Sequence, residues 1–221
     1  EVNPLAEDVR YWGEWVLERA REEIGHLYQN PEGDETIVGY LWARTVKCPN
    51  PSCGAEMPLV RQWWLAKRQE PRLALRPIVD RATKQVTFEV IDAGQFKNDG
   101  FDPSKGTVGR GHASCLVCDQ VTDVSYIRAE GVEGLLLDMP LTVIYNRSGS
   151  GKGYRPFTAE DSSRFEQAVA LLASQDDVPD EPIPTTELRR ISPPLYGFET
   201  WGELFNARQA LSLVAFVRQG K

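Results

Sequence analysis

The chain has 221 residues, of which 41% are hydrophobic and 26% charged, and this composition excludes intrinsic disorder and collagen-like repeats. Its longest apolar run, 168–173, covers about a third of the ~18 residues that a membrane span needs, so no membrane partner is predicted. The net charge of −7 argues against a dedicated nucleic-acid coat protein, and the lack of a basic-then-apolar N-terminus favours a cytoplasmic location over a secreted one.

The first predicted element is a helix over about residues 4–28. Apolar residues recur every three or four positions between Leu5 and Ile24, which is the period of an amphipathic helix. Asn3 can cap this helix, and Pro4 suits its first position because a proline there loses no hydrogen bond.

β-Branched and aromatic residues are frequent in the middle of the chain and predict strands. The predicted strands are Thr36–Lys47, Met57–Ala66, Leu73–Val79, Gln85–Asp92, Leu141–Asn146 and Tyr154–Phe157, with a further short strand over Thr107–Ser114. Gly, Asp, Asn and Pro are common in 93–111, which is therefore predicted to be a loop.

Helical patterns return towards the C-terminus. Thr158 and Asp161 have the spacing of a capping box, with Asp in the acidic position, and they begin a predicted helix over 159–174. Five prolines between 176 and 194 predict an extended linker or a segment that wraps around the fold. The remaining predicted elements are a helical turn at 201–205 and a last helix over 207–218 that is capped by Asn206.

All four cysteines of the chain lie in two close pairs. Cys48 and Cys53 form a C-x4-C pair, Cys115 and Cys118 form a C-x2-C pair, and each pair follows a predicted strand. A short loop directs two thiolates at one point, so two such loops can supply the four tetrahedral ligands that Zn²⁺ takes in structural sites. The pattern predicts one structural zinc ion with no coordination position left for a catalytic water.

Disulfides, an iron–sulfur cluster and free thiols are the alternative uses of these cysteines. Disulfides are disfavoured where no secretion signal is visible, and a redox Cys-x-x-Cys motif would leave the first pair unexplained. His112, three residues before Cys115, is interpreted as a surface histidine, and His26 lies near the end of the first helix. Neither histidine has an obvious Ser, Cys or Asp partner, so no catalytic residue is predicted.

These patterns together predict an α+β fold with three segments. A zinc-ribbon-like antiparallel β region over 36–157 is flanked by an N-terminal helical segment over 1–35. A C-terminal helical segment with the Pro-rich linker follows over 158–221.

Charge is distributed unevenly along the chain. Residues 1–43 have a net charge of −7, residues 44–110 of +5, and residues 111–221 of −5. One interpretation is a solvated surface of mixed charge, and the other is a phosphate-facing patch on the middle segment. The candidate nucleic-acid contacts are Arg61, Trp63, Trp64, Lys67, Arg68 and Arg72, in which aromatic rings for base stacking alternate with cations. The alternative for the two tryptophans is that both pack inside between layers.

The segment from Gly149 to Gly153 contains Gly-Lys after a predicted strand, but it is not a P-loop. That motif needs an earlier glycine and a Ser or Thr after the lysine, whereas Asn146 and Gly153 occupy those positions. The segment is therefore predicted to be a flexible hairpin turn.

Several segments resemble a family of large adenine-specific DNA methylases that contain a zinc ribbon, the DUF1156 proteins. The resembling segments are 11–20, 40–54, 106–118, 126–131 and 196–211, and they span nearly the whole chain. The most specific are Cys-Pro-Asn-Pro-Ser-Cys-Gly at 48–54 and Trp-Gly-Glu-Leu-Phe at 201–205.

The resemblance implies a region between the two halves of an S-adenosylmethionine-dependent DNA N6-adenine methyltransferase. The S-adenosylmethionine loop would precede this region, and the Asp-Pro-Pro-Tyr motif that holds the flipped adenine would follow it. Neither motif occurs in this sequence. Only the four cysteines therefore carry over, and S-adenosylmethionine is expected only for the full-length parent protein.

The sequence thus predicts a zinc-ribbon insertion region that assists DNA target recognition and is non-catalytic by itself. Its predicted partners are DNA and the rest of the methyltransferase polypeptide. The alternative is a protein–protein interaction module of a DNA modification or defence system, which the acidic flanks favour. An independent enzyme is opposed by the lack of an acid/base pair. If the chain is a piece of a larger domain, its first and last helices should expose apolar faces and pack on each other or on a neighbouring chain.

Overall fold

Helices lie at both ends of the chain and strands dominate the middle, which confirms the predicted α+β class. The computed structural model describes residues 3–29, 36–68, 70–94, 100–147, 151–185 and 192–220. The α-helices of these residues are α1 (Pro4–Ile24), α2 (Val124–Val132), α3 (Ala159–Leu172) and α4 (Ala207–Gln219). The strands are β1 (Ile37–Lys47), β2 (Glu56–Pro58), β3 (Trp64–Ala66), β4 (Leu73–Asp80), β5 (Gln85–Asp92), β6 (His112–Ser114), β7 (Val121–Asp123), β8 (Leu137–Asn146) and β9 (Lys152–Arg155). Short 3₁₀ helices occur at Gly25–Tyr28, Pro193–Tyr196 and Gly202–Leu204.

The chain divides into two compact units. The helical unit comprises Glu1–Ile37, Thr158–Pro184 and Glu199–Lys221, so it contains both the first and the last helix. The β unit comprises Val38–Phe157 and Thr185–Phe198. None of the helices in the described part of the chain has both the length and the apolar character needed to cross a membrane.

Three helices share the core of the helical unit. The buried core residues are Ile24 and Leu27 at the end of α1, Ala168 of α3, and Leu211 and Ala215 of α4. An ion pair of 2.9 Å joins Glu23 on α1 to Arg218 on α4. The predicted packing of the first helix on the last is therefore confirmed.

The N-terminal half of α1 continues the same apolar stripe but leaves it exposed. Leu5, Val9 and Trp12 are 70%, 66% and 58% exposed, whereas Ala20 and Ile24 of the same stripe are buried. On α4, several large apolar side chains are likewise exposed, namely Leu213, Phe216 and Val217. The predicted exposure of apolar faces on the two terminal helices is confirmed.

Side-chain caps begin three of the helices at the residues that the sequence indicates. Asn3 accepts a hydrogen bond from the N–H of Leu5. Thr158 and Asp161 form the predicted capping box. Asn206 also forms one: it accepts from the N–H of Gln209, while the Gln209 side chain accepts from the N–H of Asn206, both at 3.0 Å.

Asn206→Ala is expected to lower the free energy of unfolding by about 1 kcal/mol, because it leaves a helix N–H without its partner. Asn206 is 5% exposed, so water cannot easily replace the lost hydrogen bond. Asn3→Ala removes the same kind of cap from the exposed start of α1 and should cost less. Urea unfolding followed by far-UV circular dichroism compares the two variants. An equal loss in both would contradict this interpretation.

The strands in the described residues of the β unit form three small sheets. Their strand orders are β2-β1-β8-β9, β3-β4-β5 and β6-β7. The antiparallel β4–β5 pair runs from Leu73 opposite Asp92 to Asp80 opposite Gln85, close to the predicted bounds of both strands. Two cores stabilise this unit: one surrounds the cysteines, and the other surrounds Trp63.

The predicted single strand Met57–Ala66 is wrong. It is two short strands in different sheets, because β2 pairs with β1 while β3 pairs with β4. Between them the backbone bonds to a distant loop: the N–H of Val60 donates to Thr107 Oγ1 at 2.9 Å, and the N–H of Trp63 donates to the carbonyl of Pro103 at 2.7 Å. The apolar run predicts extended backbone but not this exchange of partners.

One helix, α2, was not predicted. It follows β7 directly and is capped by Asp123, whose carboxylate accepts from the N–H of Ser125 at 2.8 Å. Its Ile127 is buried, and Gly131 packs so closely that a Cβ would lie 2.4 Å from the carbonyl oxygen of Tyr196. A nine-residue helix depends on such tertiary packing more than on its own propensity.

Other predicted boundaries differ by a few residues. β8 begins at Leu137 instead of Leu141, β9 ends at Arg155, and within the predicted strand 107–114 only His112–Ser114 forms a strand, with a bridge from Val108 to Ala113. The described residues of the predicted loop 93–111 form no named strand before β6. Parts of that loop (95–99), of the glycine-rich turn (148–150) and of the Pro-rich linker (186–191) lie outside the described residues.

Candidate metal centre

Two β-hairpins each present one pair of cysteines. The loop between β1 and β2 carries Cys48 and Cys53, and the loop between β6 and β7 carries Cys115 and Cys118. Both hairpins are antiparallel, so each loop reverses the chain direction over a few residues.

The two loops share a backbone pattern. In each, the N–H of the first cysteine donates to the carbonyl two residues after the second cysteine, from Cys48 to Ala55 at 2.8 Å and from Cys115 to Gln120 at 2.9 Å. The residue directly after the second cysteine has a positive φ in both loops: 60° at Gly54 and 60° at Asp119. Glycine adopts this conformation freely, and Asp is among the few other residues that tolerate it.

The four sulfur atoms converge on one point. The distance is 3.6 Å between Cys48 Sγ and Cys118 Sγ, and 3.9 Å between Cys53 Sγ and Cys115 Sγ, and both distances join one hairpin to the other. All four sulfurs lie within 4.8 Å of one another. Disulfide sulfurs are only ~2.05 Å apart, so these are free thiols. Within the described ranges, this cluster is the group of side chains suited to hold a metal ion.

The cysteine cluster lies in an apolar core. Cys48, Cys53 and Cys115 are buried, and Cys118 is partly buried. The other buried members of the core are Val46, Ala55, Met57, Ala113, Val117 and Ile127. Solvent is therefore excluded from three of the four sulfurs, which suits a closed metal site better than an open catalytic one.

Burial and hydrogen bonding shift the thiol pKa values in opposite directions. Burial raises the pKa of Cys48 to about 12 and also raises the pKa of Cys115. The N–H of Gln120 hydrogen-bonds to the Cys118 sulfur and lowers the pKa of Cys118 to about 7. The thiols of Cys48 and Cys115 therefore keep their protons at neutral pH unless a cation replaces those protons. Metal binding to such a cluster releases protons.

Neighbouring polar groups support the cluster. The Asn50 side-chain amide lies 3.8 Å from Cys118 Sγ, and its oxygen accepts the N–H of Ser52 at 3.0 Å, so Asn50 links the two loops. The Tyr126 hydroxyl of α2 donates to the carbonyl of Lys47 at 3.0 Å, directly before Cys48. No pattern in the sequence indicates these contacts, although Asn50 lies within the Cys-Pro-Asn-Pro segment.

Neither histidine is part of the cluster. His112 is exposed, and its Nδ1 lies 3.2 Å from the carbonyl oxygen of Arg110. His26 is exposed in the 3₁₀ helix that follows α1. The interpretation of His112 as a surface residue is confirmed.

Trp63, a predicted nucleic-acid contact, is a core residue. It is 3% exposed, and its ring centroid lies 5.9 Å from that of Phe88. Its buried neighbours are Ala43, Leu75 and Leu141. In this arrangement the Trp63 ring cannot stack on a base, so the prediction of a nucleic-acid interface depends on the remaining candidates.

The remaining candidates lie at or near the surface. Arg61, Lys67 and Arg68 are exposed, while Trp64 and Arg72 are partly buried. The Lys67 ammonium lies 5.9 Å from the centroid of the Trp64 ring. The structure thus places one aromatic ring and one cation together at the surface of β3.

The Gly-Lys segment belongs to a hairpin and does not begin a helix. Asn146 of β8 pairs with Lys152 of β9, and the N–H of Arg147 donates to the carbonyl of Gly151 at 3.0 Å. This pairing confirms the predicted hairpin, although Gly149 lies outside the described residues.

Comparison with known proteins assigns no family to the chain. It matches no family model, no curated protein and no solved structure. Inference about function therefore depends on the geometry of the four cysteines and on the residues around them.

Proposed function

We propose that the four cysteines bind one structural Zn²⁺ ion. Zinc–sulfur distances of ~2.3 Å in a tetrahedral shell place the sulfurs about 3.8 Å apart. The distances of 3.6 and 3.9 Å between the hairpins lie on either side of that value. This agreement is the observation that carries the proposal.

A zinc ion in this shell stabilises the fold and has no catalytic role. Four thiolates fill the tetrahedral shell, so no position remains for a substrate or a water. When bound, the ion supplies the positive charge that lets buried thiols ionise. Cys48 and Cys53 hold it from one hairpin, and Cys115 and Cys118 hold it from the other. The free energy of metal binding is thereby also free energy of folding.

We further propose that the chain is the zinc-ribbon insertion region of an S-adenosylmethionine-dependent DNA N6-adenine methyltransferase. Its role there is to assist target recognition, and it is non-catalytic by itself. Two observations support this proposal. Residues 48–54, one of the two most specific resembling segments, form the loop of the first cysteine pair, and exposed Lys and Arg side chains follow that loop in the same unit. S-adenosylmethionine would bind elsewhere in the parent protein.

The full-length reading frame tests this proposal. It should encode an S-adenosylmethionine loop before this segment and an Asp-Pro-Pro-Tyr motif after it. The purified parent should transfer labelled methyl groups to the N6 position of adenine in DNA. A full-length frame that lacks both motifs, or a parent that carries them but methylates no DNA, would contradict the proposal.

A protein-docking module is the second candidate function. The exposed stripe of Leu5, Val9 and Trp12 on α1 favours it, because a contiguous apolar face is typical of a protein contact. The net charge of −7 over residues 1–43 also disfavours DNA at this helix. Failure of the chain to bind DNA at low salt would favour this candidate.

Lys67→Glu/Arg68→Glu is expected to weaken duplex DNA binding roughly tenfold at low salt, because two phosphate contacts become repulsive. The slope of log affinity against log salt should fall by about 2. Arg10→Glu/Arg21→Glu on α1 makes the same change in charge at exposed positions and should have little effect. Equal affinity of Lys67→Glu/Arg68→Glu and wild type would remove this pair from the interface and favour protein docking.

A further inference from the structure

A groove of about 450 Å³ lies between the β3–β4 connection and the β8–β9 hairpin. One wall is formed by Ala66, Glu70, Pro71 and Leu73. The other wall is formed by Arg147, Gly151 and Lys152. Both walls belong to the β unit, so the groove does not depend on how the two units are arranged.

Long-range contacts bring the two walls together. The Tyr154 hydroxyl of β9 donates to the carbonyl of Leu65 in β3 at 3.2 Å. Asn146 pairs with Lys152, and the N–H of Arg147 donates to the carbonyl of Gly151. These contacts position the cationic side chains of Arg147 and Lys152 near the end of their hairpin. Gly151 has a φ of 82°, which glycine adopts without strain.

The groove carries a positive charge. Arg147 and Lys152 line one wall and are exposed. Lys67, Arg68 and Arg72 are only sequence neighbours of the residues that line the other wall. The acidic residue among the lining side chains is Glu70, whose carboxylate lies 3.7 Å from the Arg72 guanidinium. Two cationic side chains and one carboxylate line this concave surface. The excess of cations concentrates positive potential in the groove, which therefore suits an anion.

The size of the groove narrows the class of anion. Its volume lies within the ~300–1,000 Å³ typical of small-ligand sites, which is more than a phosphate ion needs and too little for a duplex. Two cations side by side on one wall suit the regularly spaced phosphates of one polynucleotide strand. Trp64 of β3, two residues before Ala66, adds a partly exposed ring on which a base can stack.

We propose that this groove binds the phosphodiester backbone of a single nucleic-acid strand, with Arg147 and Lys152 as its phosphate contacts. The inference rests on the proposed DNA-recognition function and deepens it. Enzymes that flip a base out of the duplex must hold a locally unpaired strand. The Gly-Lys hairpin, which is not a P-loop, thereby gains a phosphate-binding role of another kind.

Fluorescence anisotropy of the full chain with a short labelled single-stranded oligonucleotide, at low and rising salt, tests the groove. Arg147→Glu/Lys152→Glu is expected to weaken binding roughly tenfold and to lower the salt slope by about 1.4, from ~0.7 per phosphate contact. The effect on the matching duplex should be smaller. Arg10→Glu/Arg21→Glu on α1 is the charge-matched control and should bind like wild type.

The outcomes separate this inference from the proposed function. If wild type binds DNA and Arg147→Glu/Lys152→Glu binds it equally well, the groove is overturned while the proposed function stands. If wild type binds neither form of DNA at low salt, both are overturned. Displacement of the strand by inorganic phosphate at the same concentration of phosphate groups would assign the groove to free phosphate instead. Should the Glu variant misfold, Arg147→Gln/Lys152→Gln provides the same comparison with a smaller expected loss.

Discussion

Cys115→Ser or removal of the metal is expected to unfold the two hairpins that carry the cysteines, β1–β2 and β6–β7. Apparent binding free energies of structural zinc are roughly 10–16 kcal/mol at neutral pH, which is as large as the whole stability of a typical domain. Metal analysis should give about one zinc per chain for wild type and a large loss for Cys115→Ser. Near-UV circular dichroism should show loss of tertiary structure after chelation. Lower pH should favour release, because protons compete with zinc for the thiolates.

His112→Ala is the matched control for this result. His112 lies three residues before Cys115 in the same hairpin but is exposed and outside the cysteine cluster. This variant should keep its zinc and the near-UV circular dichroism spectrum of wild type. A chelator-free preparation of wild type that contains no zinc, and in which mass analysis finds two disulfides, would contradict the zinc proposal.

Features set by local sequence were predicted well. Asn3, Thr158 and Asn206 mark helix starts because capping depends only on residues within one turn. The two cysteine pairs predicted one cluster because the tight loops restrict where both thiols of a pair can point. The strands 73–80 and 85–92 were also predicted to within one residue, since β-branched and apolar residues mark both of them locally.

Features set by long-range contacts could not be predicted in the same way. Residues 57–66 look like one strand. The backbone N–H groups of Val60 and Trp63 nevertheless donate to the loop that contains Pro103 and Thr107, and not to a neighbouring strand. The helix α2 has weak helical signals of its own and is stabilised by the burial of Ile127. The groove depends on the contact between Tyr154 and Leu65, which are 89 residues apart. No local pattern encodes such a pairing.

Trp63→Ala is expected to destabilise the β unit by about 3–5 kcal/mol, the usual cost of removing a large buried aromatic ring. Trp63 shares one buried core cluster with Ala43 of β1, Leu75 of β4 and Leu141 of β8. It therefore fills the space between the four-stranded sheet and the three-stranded sheet. Its backbone is also bonded to the three-stranded sheet, because its carbonyl accepts the N–H of Leu75 of β4 at 2.8 Å.

Trp64→Ala is the control, since the neighbouring ring is only partly buried and its indole N–H donates to Ser104 Oγ at 3.0 Å at the surface. Urea unfolding should show a loss of stability for Trp64→Ala that is much smaller than for Trp63→Ala. Anisotropy measures how folded variants bind single-stranded DNA. Trp64→Ala should weaken binding, because it removes a stacking ring. The conservative Trp63→Phe should keep both the core and the wild-type affinity. Equal destabilisation by the two alanine variants would show that Trp64 is also a core residue, and the stacking role would then have to be withdrawn.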